Sequence, residues 1–390
     1  MPIKVKYVLT HVIQYYAPLL QRLAQQPELE LEVIYGTDAG AKAFFDSQFA
    51  QEIAWDRPLL TGYNFTVLKP GAPTRQGFWA VKGFGIGKHL TPDRADVVIV
   101  HGWGNHFYVS AILTALRRGL AVLNRMDTQA GDRGRPVFRW LKPLLIYPLL
   151  RRLDGHLAIG SRNRQYYLEA GVSPEKLFWA PFSIDTAFFR RERISAEALK
   201  AEEEQLGLEP GSFRVIFVGK LLALKRPEDI IAAVALMPSR SRVEVLLVGD
   251  GALRPALEEL ARGKGVRVHF LGFRNQSELP VLYALADVNV LPSSHDAWGL
   301  VINEGMSMGL PSIVSNMVGC GPDLVLDGRT GYTFKVGDVD GLARALERMA
   351  SDPGHLRQLK QTAQERIEDF SLDRTVQGFL NAIQTVAARP

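Results

Sequence analysis

Two hydrophobic patterns alternate along the chain. Short unbroken apolar runs, such as Val97-Val98-Ile99-Val100 and Val245-Leu246-Leu247-Val248, are separated by longer stretches whose apolar residues recur every third or fourth position. Unbroken β-branched runs suit strands buried on both faces, and the longer period suits helices that cover them. In the first half this predicts strands near 3–9, 29–36, 64–68, 96–100, 120–124 and 155–159, with helices over 14–26, 106–118 and 161–171 among those between them. The polar stretch from Arg190 to Gly211, rich in Glu, Ala and Arg, has no strand signal and reads as a connector. The pattern restarts at Phe213-Arg214-Val215-Ile216-Phe217-Val218-Gly219 and predicts further strands near 242–248, 266–271, 287–291 and 311–315. The expected organisation is α/β. It has a doubly wound Rossmann-like domain over 1–185, a connector over 186–212 and a second such domain over 213–370. A C-terminal helix over 371–390 is expected to pack back on the first domain. Open sheets of this kind bind ligands beyond the carboxyl ends of their strands, so chemistry is expected in a cleft between two facing sheets.

Composition narrows the class only a little. The length of 390 residues exceeds one ordinary core, in keeping with two domains. Hydrophobic residues at 47% and charged residues at 22% are ordinary for a soluble chain. Cys320 is the one cysteine, which excludes an internal disulfide and a cysteine-built metal site. A net charge of +5 suits anionic ligands or an anionic membrane surface. The first residues read as a strand and not as a signal peptide, and no apolar run reaches the roughly 20 residues of a membrane span. The expected location is therefore the cytoplasm, and no nucleic-acid partner is expected.

Four features stand at predicted strand ends in the second half. Gly219-Lys220-Leu221-Leu222-Ala223-Leu224-Lys225 places two lysines after a strand, followed by Pro227 at a helix start. That suits a phosphate, though a solvated loop is the simpler reading of the lysines alone. Gly249-Asp250-Gly251 is a tight turn, read as structural. Gly272-Phe273-Arg274 either flanks a planar base or is a surface loop. Last comes Asp296-Ala297-Trp298-Gly299-Leu300, with Glu304 on the helix that follows. Gly299 lets backbone N–H groups approach a ligand at a helix start, and both carboxylates can accept hydrogen bonds from hydroxyls. The plainer alternative makes Asp296 a helix cap and Glu304 a solvated residue, but Glu304 is flanked by Val301, Ile302, Met306 and Met308.

Taken in order, these features resemble the signature of retaining glycosyltransferases of family 4, which have the GT-B fold. That signature has two glutamates separated by seven residues; here Asp296 and Glu304 hold those places, with Ala297-Trp298-Gly299-Leu300 after the first. Gly219-Lys220 through Lys225 is similar to the family's Gly-Arg-x-x-x-x-Lys. Gly249-Asp250-Gly251, Leu271-Gly272-Phe273, Ala286-Asp287-Val288, Leu291-Pro292-Ser293, Gly319 through Val325 and Gly328-Arg329-Thr330-Gly331 fit as well. The resemblance implies a hexosyl transfer from a nucleotide diphosphate sugar, with retention, to a hydroxyl acceptor. The default acceptor is a glycan or lipid-linked glycan precursor, as in polysaccharide biosynthesis; a small molecule is the other option. It further implies that Lys220 and Lys225 hold the pyrophosphate with the amides of Trp298, Gly299 and Leu300. Glu304 then bonds the ribose, Asp296 the transferred sugar, and Gly272 and Phe273 border the base. Lys220 departs from the family's arginine, and Asp296 is one methylene shorter than glutamate. No cofactor or metal is expected, and Asp338-Val339-Asp340 reads as a helix cap. The same fold also serves nucleotide-sugar 2-epimerases, whose acid/base residues do not map onto this sequence, and a non-catalytic nucleotide-sugar binding protein is the third alternative.

The first half carries His101 at a strand's carboxyl end, and the resemblance implies a role for it near the reacting sugar, ahead of His106. His11 and Arg125 are as readily structural. The stretch 133–152 is basic and aromatic at first and apolar later. It reads either as a peripheral contact with the inner membrane face or, with slight preference, as a packed helix 136–152 covering the first sheet.

Overall fold

The structure is a computed structural model and describes residues 1–46, 51–72, 77–130 and 142–388. The strands are β1 (Ile3–Leu9), β2 (Leu29–Thr37), β3 (Phe44–Asp46), β4 (Gln51–Ile53), β5 (Asn64–Lys69), β6 (Val97–His101), β7 (Ala121–Arg125), β8 (Gly155–Ala158), β9 (Leu177–Trp179), β10 (Phe213–Val218), β11 (Val243–Val248), β12 (Arg267–Gly272), β13 (Val288–Leu291), β14 (Ser312–Ser315) and β15 (Gly331–Phe334). The chain forms two compact units. The first comprises Met1–Phe44, Arg57–Phe182 and Leu372–Pro390, and the second Phe45–Asp56 and Ser183–Ser371.

The first unit holds a sheet in the order β5-β2-β1-β6-β7-β8-β9. Its strands pair in parallel, with Tyr7 opposite Val33 on one side and Ile99 on the other. Val5, Tyr7, Val97 and Ile99 are fully buried, as a strand covered by helices on both faces requires. Strand order reverses between β1 and β6, which makes the loops after those two strands the natural ligand crevice of this sheet. Helix Leu372–Ala387 belongs to this unit. Thr375 donates to the Pro181 carbonyl at 2.7 Å, and a Cβ at Gly378 would sit 2.0 Å from the Trp179 carbonyl oxygen, so only glycine admits so close an approach.

The second unit repeats the plan in the order β12-β11-β10-β13-β14-β15, reversing between β10 and β13. The chain turns that follow β10, β11 and β12 are knitted together. Gly219 N donates to the Val248 carbonyl (2.9 Å), Leu221 N to Asp250 O (2.9 Å) and Gly249 N to Gly272 O (2.8 Å). Residues 186–212 carry a helix, Ala196–Leu206, capped by Ser195, and are tied to this unit by Arg214 and Glu203 at 2.5 Å. Residues 45–56 also group here, with Asn275 donating to the Ala54 carbonyl at 2.6 Å. β9 and β15, three and four residues long, escape the hydrophobic pattern because a run so short shows no period. Of the helix expected over 136–152, the structure describes a π-helical turn, Lys142–Ile146, and a helix, Tyr147–Arg152. Residues 131–141, including Arg135 and Arg139, lie outside the described residues.

Candidate active site

In the second unit the loops after β10 and β13 flank the point where strand order reverses, and they are bonded to each other. Ser294 N donates to the Leu224 carbonyl at 2.8 Å, and Lys225 Nζ donates to Asp296 Oδ2 at 2.7 Å. Both partners of that ion pair are largely buried, with side chains 25% and 15% exposed. Lys225 is aimed by its neighbour. Arg226 adopts a left-handed backbone (φ +53°) and grips Asp229 with two bonds of 2.7 and 2.8 Å at the start of helix Pro227–Leu236. The turn is thus fixed from inside, and Lys225 projects from it. Lys220, half-buried, lies one residue past Gly219 on the same loop.

Asp296 is held as firmly. Its Oδ1 accepts from Trp298 N at 3.3 Å, its own amide donates to Met317 O, and its carbonyl accepts from Gly319 N at 2.9 Å. Gly299 sits at the N-cap of helix Leu300–Ser307 with φ +93°. A Cβ there would lie 2.9 Å from Leu291 Cδ2 and 3.0 Å from Val318 Cγ1, so both backbone and space call for glycine. Trp298 turns its indole inward, donating from Nε1 to Asn303 Oδ1 at 2.8 Å, and its backbone is engaged as well, the N–H by Asp296 and the carbonyl by Cys320 N, so the amides of Gly299 and Leu300 are the ones left at this helix start. Leu300, half-buried, is the first residue of the helix.

The two carboxylates have different partners. Glu304 is fully buried, and its Oε2 accepts from Tyr283 Oη at 2.8 Å. Gly272, at φ +66°, ends β12. Phe273 follows, half-buried, its ring 6.3 Å from that of Trp55. Arg274 is occupied with Glu278 (3.1 Å) and the Leu271 carbonyl (3.2 Å), which makes it a loop brace. Asp338 caps helix Val339–Ser351 by accepting from Gly341 N at 2.8 Å. Among the described residues no cluster of three or more His, Cys, Asp or Glu is placed to hold a metal.

In the first unit His101 ends β6 beside the reversal point. Its Nε2 is hydrogen-bonded to Tyr16 Oη at 3.1 Å, and the rings meet edge to face. Its Nδ1 is buried with no hydrogen-bond partner among the described residues. Burial, then the charges of Arg125 and His11, lower its pKa to about 3, so it is a neutral imidazole. His106 is engaged elsewhere. Its Nδ1 accepts from Gly83 N at 2.9 Å and meets Ser110 Oγ at 3.2 Å, and it begins helix His106–Arg117. His11 Nδ1 bonds Thr10 Oγ1 at 2.9 Å. Arg125 is fully buried, donates to the Ala180 carbonyl at 2.7 Å, and lies 5.1 Å from the ring centroids of both Phe182 and Phe379, bracing the C-terminal helix of this unit.

His156 shares the titration behaviour of His101. It is buried, its pKa is lowered to about 3 by burial, and its Nε2 bonds the Leu150 carbonyl at 3.0 Å. Both imidazoles stay neutral when folded and take up a proton near pH 6.5 when unfolded. Stability is therefore full above pH 6.5 and declines as pH falls from there toward 3. Chemical denaturation between pH 7 and 4.5 should show this decline, and His156→Gln should flatten it; an unchanged slope would show that His156 does not drive it.

The hydrophobic pattern gave no hint of Tyr283, Tyr16 or Asn303, the side chains that hold Glu304, His101 and Trp298. Each sits on or at the start of a helix whose pattern reads simply as core, and its polar partner is far away in the chain or buried beside it.

Comparison with known proteins places this geometry in context. Residues 200–366 match the family described as glycosyl transferases group 1. An uncharacterized glycosyltransferase of Methanocaldococcus jannaschii is 31% identical over 303 residues, covering 75% of this chain and 76% of that protein. The D-inositol 3-phosphate glycosyltransferase of Rhodococcus erythropolis is 33% identical over 279 residues, 69% of this chain and 61% of its own. The chain thus spans about three fifths of the length of the D-inositol 3-phosphate glycosyltransferases it matches. Among solved structures, HepE from Anabaena, crystallised with UDP, aligns with a TM-score of 0.76 at 17% identity, covering 98% of this chain and all of that one. WaaG, a glycosyltransferase involved in lipopolysaccharide biosynthesis, aligns at 0.65 and 14% identity over 99% of this chain. These likenesses identify the fold of the two units as that of the GT-B proteins.

Proposed function

The chain belongs to the family of glycosyl transferases group 1, and from that premise we propose that it is a retaining hexosyltransferase using a nucleotide diphosphate sugar. The observation that carries this reading is the contact of Lys225 with Asp296 across the two loops that flank the strand reversal of the second unit. A cation and a carboxylate joined there match the two ends of one ligand. The diphosphate takes Lys225, with Lys220 and the amides at Gly299 and Leu300, and the sugar hydroxyls take Asp296. Glu304, oriented by Tyr283, takes the ribose, and Phe273 borders the base. The UDP and the UDP-glucose bound in structures of HepE support a donor of this class.

We assign His101, neutral and with Nδ1 unpaired among the described residues, to a hydrogen bond with a sugar hydroxyl. Lysines and a helix N-terminus supply the positive charge for the departing diphosphate, so we propose no metal requirement. The departing phosphate oxygen takes the acceptor's proton on the same face, which gives retention. The acceptor is a glycan or lipid-linked glycan precursor.

A thermal-shift panel with UDP, GDP, ADP and TDP, followed by nucleotide release with and without acceptor, tests the reading. At least one nucleoside diphosphate should raise the melting temperature well beyond its nucleoside, and release from the sugar donor should require an acceptor. Four silent diphosphates would overturn it, and acceptor-independent release would point to hydrolysis or epimerisation. Lys225→Ala should weaken UDP by about tenfold and leave uridine nearly unchanged, as expected for one partly exposed charge-assisted contact of about 1.5 kcal/mol. Equal losses for UDP and uridine in calorimetry would remove the phosphate assignment.

A further inference from the structure

The first unit carries apolar side chains in the wrong place for a core. Phe78, Trp79, Phe84, Leu144 and Leu145 are each between 40% and 71% exposed. They form two groups beside one loop. Phe78, Trp79 and Phe84 surround the His106 ring, at centroid distances of 6.2, 4.9 and 5.7 Å. Leu144 and Leu145 lie in the turn Lys142–Ile146, and Lys142 Nζ stands 5.9 Å from the ring centre of Trp103. Trp103 lies in the short connection between β6 and helix His106–Arg117, and His106 is the first residue of that helix. Both groups therefore stand at the carboxyl end of β6, the end that carries His101.

The aromatic group is held in position. His106 N donates to the Phe78 carbonyl at 2.7 Å, and Gly83 N donates to His106 Nδ1. A Cβ at Gly83 would lie 2.4 Å from Ser110 Cβ, so the segment is pressed on the helix. Val81 and Ile86 are buried in the core of this unit, while Phe78, Trp79, Lys82 and Phe84 face out. These contacts turn the rings outward at the edge of the unit.

We propose that this edge of the first unit docks on an anionic lipid surface. Three observations select that partner. Aromatic rings beside lysines suit the membrane interface. Leu144 and Leu145 offer no flat face on which a sugar ring could stack, yet they are among the most exposed apolar side chains at this end. The described segments that carry these rings and leucines, 77–92 and 142–152, contain Lys82, Lys88, Lys142, Arg151 and Arg152 and no Asp or Glu, so they lack the carboxylates by which a glycan platform grips hydroxyls and carry charge complementary to acidic headgroups. Resting on the proposed function, this deepens it: an acceptor presented at the bilayer surface reaches the end of the sheet where His101 stands, which selects a lipid-linked acceptor.

Flotation of the full chain with equimolar phosphatidylglycerol/phosphatidylcholine vesicles, beside pure phosphatidylcholine, tests the proposal. The unaltered protein should float with the anionic vesicles, more weakly with neutral ones, and less as salt rises. The pairs Trp79→Ser with Phe84→Ser, and Leu144→Ser with Leu145→Ser, should each lower partitioning by about tenfold or more, since each removes two exposed apolar groups that the lipid interface would bury. Both pairs should keep the unaltered melting temperature and the UDP-induced shift, because the replaced side chains are exposed. Failure of the unaltered protein to float, or undiminished flotation of both pairs, would overturn the proposal. So would saturable binding of a soluble oligosaccharide that is lost in the Trp79→Ser with Phe84→Ser pair, with no response to vesicles, which would make the aromatic group a sugar platform. Because flotation needs no donor, loss of every nucleotide response with flotation intact would strike the proposed enzyme activity and support the docking surface.

Discussion

Asp296→Asn should slow sugar transfer by roughly a hundredfold and leave UDP binding intact or slightly tighter. The carboxylate receives Lys225 Nζ at 2.7 Å and the Trp298 amide at 3.3 Å. In the proposed reaction the diphosphate takes the lysine, and Asp296 turns to the hydroxyls of the moving sugar. The amide side chain keeps the shape and an acceptor oxygen for Trp298 N but loses the charge. A charge-assisted hydrogen bond made to the transferring sugar is worth about 2–3 kcal/mol, or about a hundredfold in rate. Asp296 also competes with phosphate for Lys225, so neutralising it removes a rival of the nucleotide. Initial rates with the full donor, beside calorimetry with UDP alone, separate the two effects. If UDP binding falls as steeply as the rate, Asp296 is holding the loop in shape and has no separate role toward the sugar. The companion change Asp296→Glu restores the residue usual in the resembling family and should retain the Lys225 contact.

Gly249→Ala should be strongly destabilising, at about 4 kcal/mol. Gly249 has φ +130°, a conformation that L side chains rarely adopt, and its Cβ would lie 2.0 Å from the Gly219 carbonyl oxygen. Backbone strain and overlap with an immovable carbonyl each cost about 1–3 kcal/mol. The close approach exists because Gly249 N reaches Gly272 O while Gly219 N reaches Val248 O, which is how the turns after β10, β11 and β12 are knitted beneath the proposed diphosphate site. The substitution should therefore lower the unfolding midpoint and weaken UDP together. Gly263→Ala is the matched control: Gly263 lies in helix Arg254–Lys264, and a Cβ there meets nothing within 4 Å. It should stabilise by up to about 1 kcal/mol. Similar midpoints for the two variants would show that the turn gives way at little cost.

The contrast between these glycines marks how far sequence reasoning reaches. Gly249 and Gly251 announce a turn by composition, but their indispensability comes from carbonyls of the neighbouring loop, which no local pattern reports. The same holds for the carboxylates. Their spacing in Asp296 through Glu304 pointed to a site, since two charges in an apolar run need partners. That Asp296 meets Lys225 while Glu304 lies buried against Tyr283 depends on how helix Leu300–Ser307 packs on β13, where Asn289 Nδ2 reaches the Val301 carbonyl at 2.7 Å.

The sequence by itself determined the two α/β units, the parallel character of their sheets and the strand ends at which to look, because burial on both faces imposes an unbroken apolar run that local reading detects. It could not assign residues 45–56 to the second unit, reveal β9 and β15, or supply the partners of His101 and His106. Those depend on contacts between residues distant in the chain: the Asn275 bond to Ala54, pairing of very short strands with longer neighbours, and a Tyr16 hydroxyl set against one imidazole while Gly83 claims the other. Strand order settled the rest. Two loops 71 residues apart become bonded neighbours only because β10 and β13 pair at the point where the sheet reverses direction.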